Sequence, residues 1–163
     1  MQRTHCGPVG RLCYNKERPC HHRDNLRALM PQPILVEITP GELLDKIAIL
    51  EIKCEQIADA EKLRNVRAEL SVLKAARQDA VPASAELEAL TAELKAVNAL
   101  IFAIVDGMHL AERTGDFGPR FIDLARSVHQ ENDRRAALKR RINEVVGTNW
   151  QEEKAYPRMD GAG

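Results

Sequence analysis

Aromatic side chains are nearly absent: three Phe, two Tyr and one Trp make up 4% of 163 residues. The core must therefore be aliphatic, and an ordinary β-sandwich, which draws on aromatic and β-branched residues, is excluded. Net charge is lacking too, since 24 basic and 24 acidic side chains cancel. No global field draws such a chain to nucleic acid or anionic lipid. No uninterrupted apolar run reaches the ~18 residues of a membrane span, which reads as a soluble protein with no membrane partner. Reaction motifs are missing as well: there is no Gly-rich phosphate loop, nucleophile elbow, His-Glu-x-x-His pair or dinucleotide fingerprint. Four cysteines without close pairing point to a reducing compartment, the cytoplasm.

What is present is helical. The 21 alanines, with abundant Leu, Ile, Glu, Lys and Arg, are residues that lose little rotamer freedom in a helix. The eight prolines all stand outside the periodic segments, and the length fits one domain. Residues 1–29 differ in character. They carry six basic and two acidic residues, three of the four cysteines and three of the five histidines. Without an apolar core region they are no secretory signal; they read as a disordered basic arm upstream of a start at Met30. Residues 30–147 read as a helical bundle and 148–163 as a tail.

The bundle opens with the short apolar run Ile34-Leu35-Val36-Glu37-Ile38, an extended segment expected to lie on the helices. Thr39-Pro40-Gly41-Glu42 then has the form of a capping box with proline at the first helical position. Four apolar seams follow at three- and four-residue spacing. The first is Leu43, Ile47, Leu50, Cys54 and Ile57; the second, after a cap at Asp59, is Leu63, Val66, Leu70 and Leu73. A turn around Pro82 and a cap at Ser84 precede the third, which runs from Leu87 through Leu90, Leu94, Val97, Ile101 and Ile104 to Met108. Thr114–Pro119 breaks that helix. The fourth seam begins at Phe121, Leu124 and Val128 and resumes at Leu138, Ile142 and Val145 before a stop at Gly147. The expected fold is all-α: an antiparallel helical hairpin or bundle of about four helices, coiled-coil-like in its seams, with a short extended N-terminal segment.

Several positions carry more than core chemistry. Ile49 and Ile52 point away from the first seam, with Glu42, Asp45, Lys46 and Lys53 around them. Such a helix is either buried centrally or offers Glu42, Asp45, Ile49 and Ile52 as a surface for a second copy or another protein. In the last helix Glu131 and Arg135 occupy positions where the seam should continue. Either Lys46, Lys53, Asn132, Arg134 and Arg135 grip a small anionic ligand, a carboxylate or phosphate, or the helix rotates to bury Ala125, Ala136 and Ala137 and leaves the charges in water. Arg134, Arg135, Lys139, Arg140 and Arg141 form a basic run, but acidic neighbours and few aromatics disfavour nucleic acid. Cys6, Cys13 and Cys20 are seven residues apart, a spacing that fits no usual zinc module, and His109 and His129 stand apart, so no metal and no cofactor is expected. Cys54 reads as a core hydrophobe. Gly107 marks either fraying or a close helix crossing.

The stretches Gly41-Glu42-Leu43-Leu44-Asp45-Lys46-Ile47 with Ile49–Lys53, Asp116-Phe117-Gly118-Pro119-Arg120-Phe121, and Asn132-Asp133-Arg134-Arg135-Ala136 resemble a bacterial family of short proteins of unknown function, over roughly residues 33–154. The resemblance implies a bacterial, cytoplasmic, helical protein whose relatives accompany glycosyltransferase-like proteins; it transfers no catalytic role. Two functions remain open. One is a non-enzymatic helical interaction or self-associating protein. The other is a small helical binder or enzyme for an anionic metabolite, linked to glycan metabolism.

Overall fold

The structure, a computed structural model, describes residues 34–148. The expected arm 1–29, with Cys6, Cys13 and Cys20, and the tail beyond residue 148 lie outside the described residues. The chain divides after Val36, and the helices all belong to the unit that begins at Glu37. Residues 34–39 hold no regular structure. Ile34 and Leu35 are each 90% exposed.

Helix α1 spans Pro40–Gln56. The Glu42 N–H donates to Thr39 Oγ1 at 3.2 Å and Pro40 opens the first turn. The Glu42 carboxylate reaches Lys139, so only half of the expected capping box forms. Helix α2, Ala60–Ala80, starts at Asp59, which accepts from the N–H groups of Glu61 and Lys62, each at 2.9 Å. Helix α3, Ala85–Thr114, starts at Ser84, which accepts from the Leu87 N–H at 3.1 Å. Helix α4, Pro119–Val146, has proline at its start and ends on Gly147, whose φ of +81° is the left-handed conformation that glycine adopts freely. The four helices stand where the spacing placed them, and there is no strand among the described residues.

α3 and α4 form one long antiparallel hairpin. Glu86 pairs with Arg141 and Glu93 with Arg134, so each step up one helix is a step down the other. Toward the turn a Cβ on Gly107 would stand 3.1 Å from Leu124 Cδ1; this glycine marks a close crossing, not fraying. At the turn Phe117 and Phe121 meet edge to face, centroids 5.2 Å apart.

α1 touches all three other helices, whereas α2 packs its backbone against α1 alone. The core gathers Leu43, Leu44 and Ile47 of α1, Leu87, Leu94 and Val97 of α3, and Leu138 and Ile142 of α4. Each fully buried aliphatic side chain contributes about 1.5–3 kcal/mol. Leu70, Leu73 and Val81 lie against this cluster only half buried. Ile52 is 2% exposed and Ile49 half buried, so the second apolar side of α1 is largely satisfied by central burial within the chain.

α3 changes the reading of the sequence in one respect. Although interrupted by Asp106 and His109, an 18-residue window of it is long and apolar enough to cross a membrane, and only 22% of that window is buried.

Candidate functional site

The most distinctive chemistry lies where α4 crosses α1. The i±4 ridge of α4 facing α1 is polar: Glu131, Arg135, Lys139 and Asn143 recur every four residues. α1 meets it with Gly41, Glu42 and Asp45. At the lower end the Gly41 N–H donates to Asn143 Oδ1 at 2.8 Å, so a side chain of α4 satisfies a backbone donor in the first turn of α1. The approach is close. A Cβ on Gly41 would stand 2.6 Å from the Lys139 backbone oxygen, which only glycine avoids. One step along, the buried Lys139 ammonium lies 2.6 Å from the Glu42 carboxylate.

Further along sits Asp45, 3% exposed. Its Oδ1 accepts from Asn98 Nδ2 of α3 at 2.9 Å and from Arg135 Nε of α4 at 2.8 Å, and its Oδ2 accepts from the Arg135 terminal nitrogen. The guanidinium fork on a carboxylate is the geometry that makes arginine pairs directional, and Asn98, itself 2% exposed, ties the pair to a third helix. Glu131 Oε2, one turn up, is buried without a hydrogen bond among the described residues. Arg134 lies at 4.0 Å.

A second cluster joins α1, α2 and α3. Glu51 lies 2.7 Å from Lys74 of α2 and 3.2 Å from Lys95 of α3, and Lys95 also reaches Glu55 at 2.8 Å. Partial burial alone would raise the Glu51 pKa; hydrogen bonds from the two ammonium groups outweigh it and hold the carboxyl below its ordinary value. The Glu55 hydrogen bond, helped by Glu51, holds Lys95 above its own.

The residues singled out as an anion site do not converge. Lys46 is exposed and pairs with Glu69 of α2 at 2.9 Å; Arg134 pairs with Glu93 of α3 at 2.6 Å; Arg135 faces Asp45 of α1. Asn132 donates to the Val128 carbonyl at 2.8 Å within its own helix. Lys53 is half buried and makes no ion pair among the described residues. Glu131 and Arg135 neither pair with each other nor lie in water. α4 buries Ala136, leaves Ala137 exposed, and directs Arg135 into the chain. In the basic run, Arg134, Arg135, Lys139 and Arg141 are all matched by carboxylates. Of the surface Glu42, Asp45, Ile49 and Ile52, Asp45 and Ile52 are interior. No His, Cys, Asp and Glu cluster able to hold a metal occurs among the described residues. Cys54 is half buried on α1.

Asn98 and Asn143 escaped sequence reasoning, and Lys139 was read only as part of the basic run, not as a member of the seam. A signal existed for two of them, because the four-residue recurrence that marks Glu131 and Arg135 continues through 139 and 143. Asn98 had a fainter one, as a lone amide inside the apolar stretch Val97–Val105.

Such a site defines a class of protein: an all-helical domain with a polar, hydrogen-bonded seam inside it and a long antiparallel hairpin of which one helix carries an apolar stretch. The chain belongs to the family of unknown function DUF6165, whose model matches residues 34–159. No curated protein and no solved structure matches it.

Proposed function

We propose that this chain is a non-enzymatic helical interaction protein that associates with a second copy of itself through the distal half of the α3–α4 hairpin. The observation that supports the reading is the low burial of α3, only 22% over its most apolar window. Leu100 and Leu110 of α3 are each 44% exposed, and Phe117 and Ile122 around the turn are similarly bare. These four bare apolar side chains, carried on the distal hairpin, are the candidate docking surface. A bilayer is a poor occupant, because α4 is zipped along α3 and carries Arg126, His129, Gln130, Asp133 and Arg134.

A second copy fits better. Asp106, Glu112, Asp116 and Asp123 alternate along the distal hairpin with Arg113, Arg120 and Arg126. A surface with both signs interspersed can set acid against base with a rotated copy and gives a strongly acidic or basic partner no preference. Two hairpins laid face to face make a four-helix layer that covers the aliphatic side chains.

Light scattering of the full chain tests the reading. The expected result is a dimer mass, with Leu100→Glu plus Leu110→Glu giving a monomer of unchanged helicity. A monomer at every concentration, or recovery only with membranes, overturns it.

A further inference from the structure

α2 is held unlike any other helix. None of its 21 residues is buried, whereas α1, α3 and α4 each bury at least five. By helical rotation the side of α1 that it covers runs from Lys46 to Glu51, with Leu43, Ile47 and Leu50 between them. Its grip on that side is one stripe of half-buried residues, Leu63, Val66, Leu70 and Leu73. Three ion pairs assist: Lys46–Glu69, Glu51–Lys74 and Arg77–Glu88. All three have at least one half-exposed partner, and pairs so exposed to water contribute little to attachment. Under its C-terminal end a cleft of about 480 Å³ opens between Glu51, Lys74, Arg77, Val81, Pro82 and Glu88.

Without its dock the helix re-forms readily but frays as an isolated segment of 21 residues, so its amides exchange from the released state. It is rich in Ala, Leu, Glu, Lys and Arg, it is capped by Asp59, and non-helical connectors bound it, 57–59 before and 81–84 after. α1 keeps its own place through the Asp45–Asn98–Arg135 and Gly41–Asn143 contacts, none of which involves α2. We infer that α2 is a releasable strap: it lifts from α1 on its two connectors while α1, α3 and α4 stay assembled, and uncovers the Leu43–Ile47–Leu50 side of α1. Release of this kind is a low-energy opening, distinct from global unfolding. It involves a different face from the hairpin surface and stands whether or not the chain dimerises.

Hydrogen exchange of the full chain, read by mass spectrometry, tests it. Amides of 64–78 exchange as one block at least about tenfold faster than those of 43–54 and 135–143. Leu70→Ala plus Leu73→Ala accelerates the α2 block by a further factor of about ten or more and leaves 135–143 unchanged. Tryptic cleavage at Arg64 or Arg67 then precedes cleavage at Arg140. The strap is overturned if α2 exchanges in step with α1, or if the double variant accelerates all four helices together, because α2 would then be integral to the core.

Discussion

α1 and α2 are neighbours with nearly the same apolar spacing, and they end in opposite conditions. α1 buries Leu43, Leu44, Ile47, Ala48, Leu50 and Ile52, while α2 buries nothing. The difference lies on their other sides. Opposite its seam α2 carries Glu61, Arg64, Ala68, Val72, Ala75 and Asp79, all exposed, whereas α1 carries Leu44, Ala48 and Ile52 and, beside them, Gly41 and Asp45. One stripe attaches a helix; a second stripe, with a glycine that admits a neighbouring backbone, places it at the centre.

The sharpest way to break this contrast is to truncate the equivalent leucine in each helix. Leu44→Ala, at a wholly buried position, is expected to cost about 3–4 kcal/mol in urea unfolding. Leu70→Ala, half buried, is expected to cost about 1 kcal/mol. Equal costs would show that exposure misstates how α2 is held.

Next in size are the contacts that fix α1 against α4. Asp45→Ala removes the acceptor shared by Arg135 and Asn98 and is expected to cost about 2–4 kcal/mol. Gly41→Ala drives a Cβ onto the Lys139 backbone and is expected to cost about 2–3 kcal/mol. Lys46→Ala, one residue from Asp45 but turned to the exposed Glu69, is expected to cost less than about 1 kcal/mol. A double-mutant cycle of Asp45 with Arg135 separates the pair from the burial of each group. A coupling near zero would reduce the seam to a surface-like contact.

Much of this was written in the sequence. Thr39, Asp59, Ser84, Pro119 and Gly147 bound the helices where caps and stops placed them, because capping depends on a few adjacent residues. Depth of burial was not legible, since Leu63–Leu73 and Leu43–Leu50 have the same period and differ only in what lies beyond them. Nor was the partner of Arg135. Helical spacing offers Glu131 at i−4, but Asp45, ninety residues away, takes the guanidinium through a packing of α1 on α4 that no local rule supplies. The scattering of Lys46 and Arg134 onto Glu69 and Glu93 has the same origin: opposite charges on adjoining helices find each other first.

The smallest effect distinguishes the two helices by charge. Glu51 belongs to α1, but its carboxylate is shared between Lys74 of α2 and Lys95 of α3, with Glu55 competing for Lys95. Its carboxyl is held below its ordinary value of 4.5, so the folded state binds a proton there less readily than the unfolded chain does. The stabilisation is complete above that value and is lost as pH falls through the lower folded one. Lowering the pH from about 6 to 3 should therefore loosen α2 more than α4 in hydrogen exchange, beyond the loss common to all carboxylates. Glu51→Gln removes the titrating group, so the extra loosening of α2 between those values should vanish while the rest of the acid response persists. If Glu51→Gln and the parent chain lose α2 protection in parallel, the Glu51–Lys74 pair contributes nothing to its attachment, and the half-buried apolar stripe with the remaining pairs holds it down.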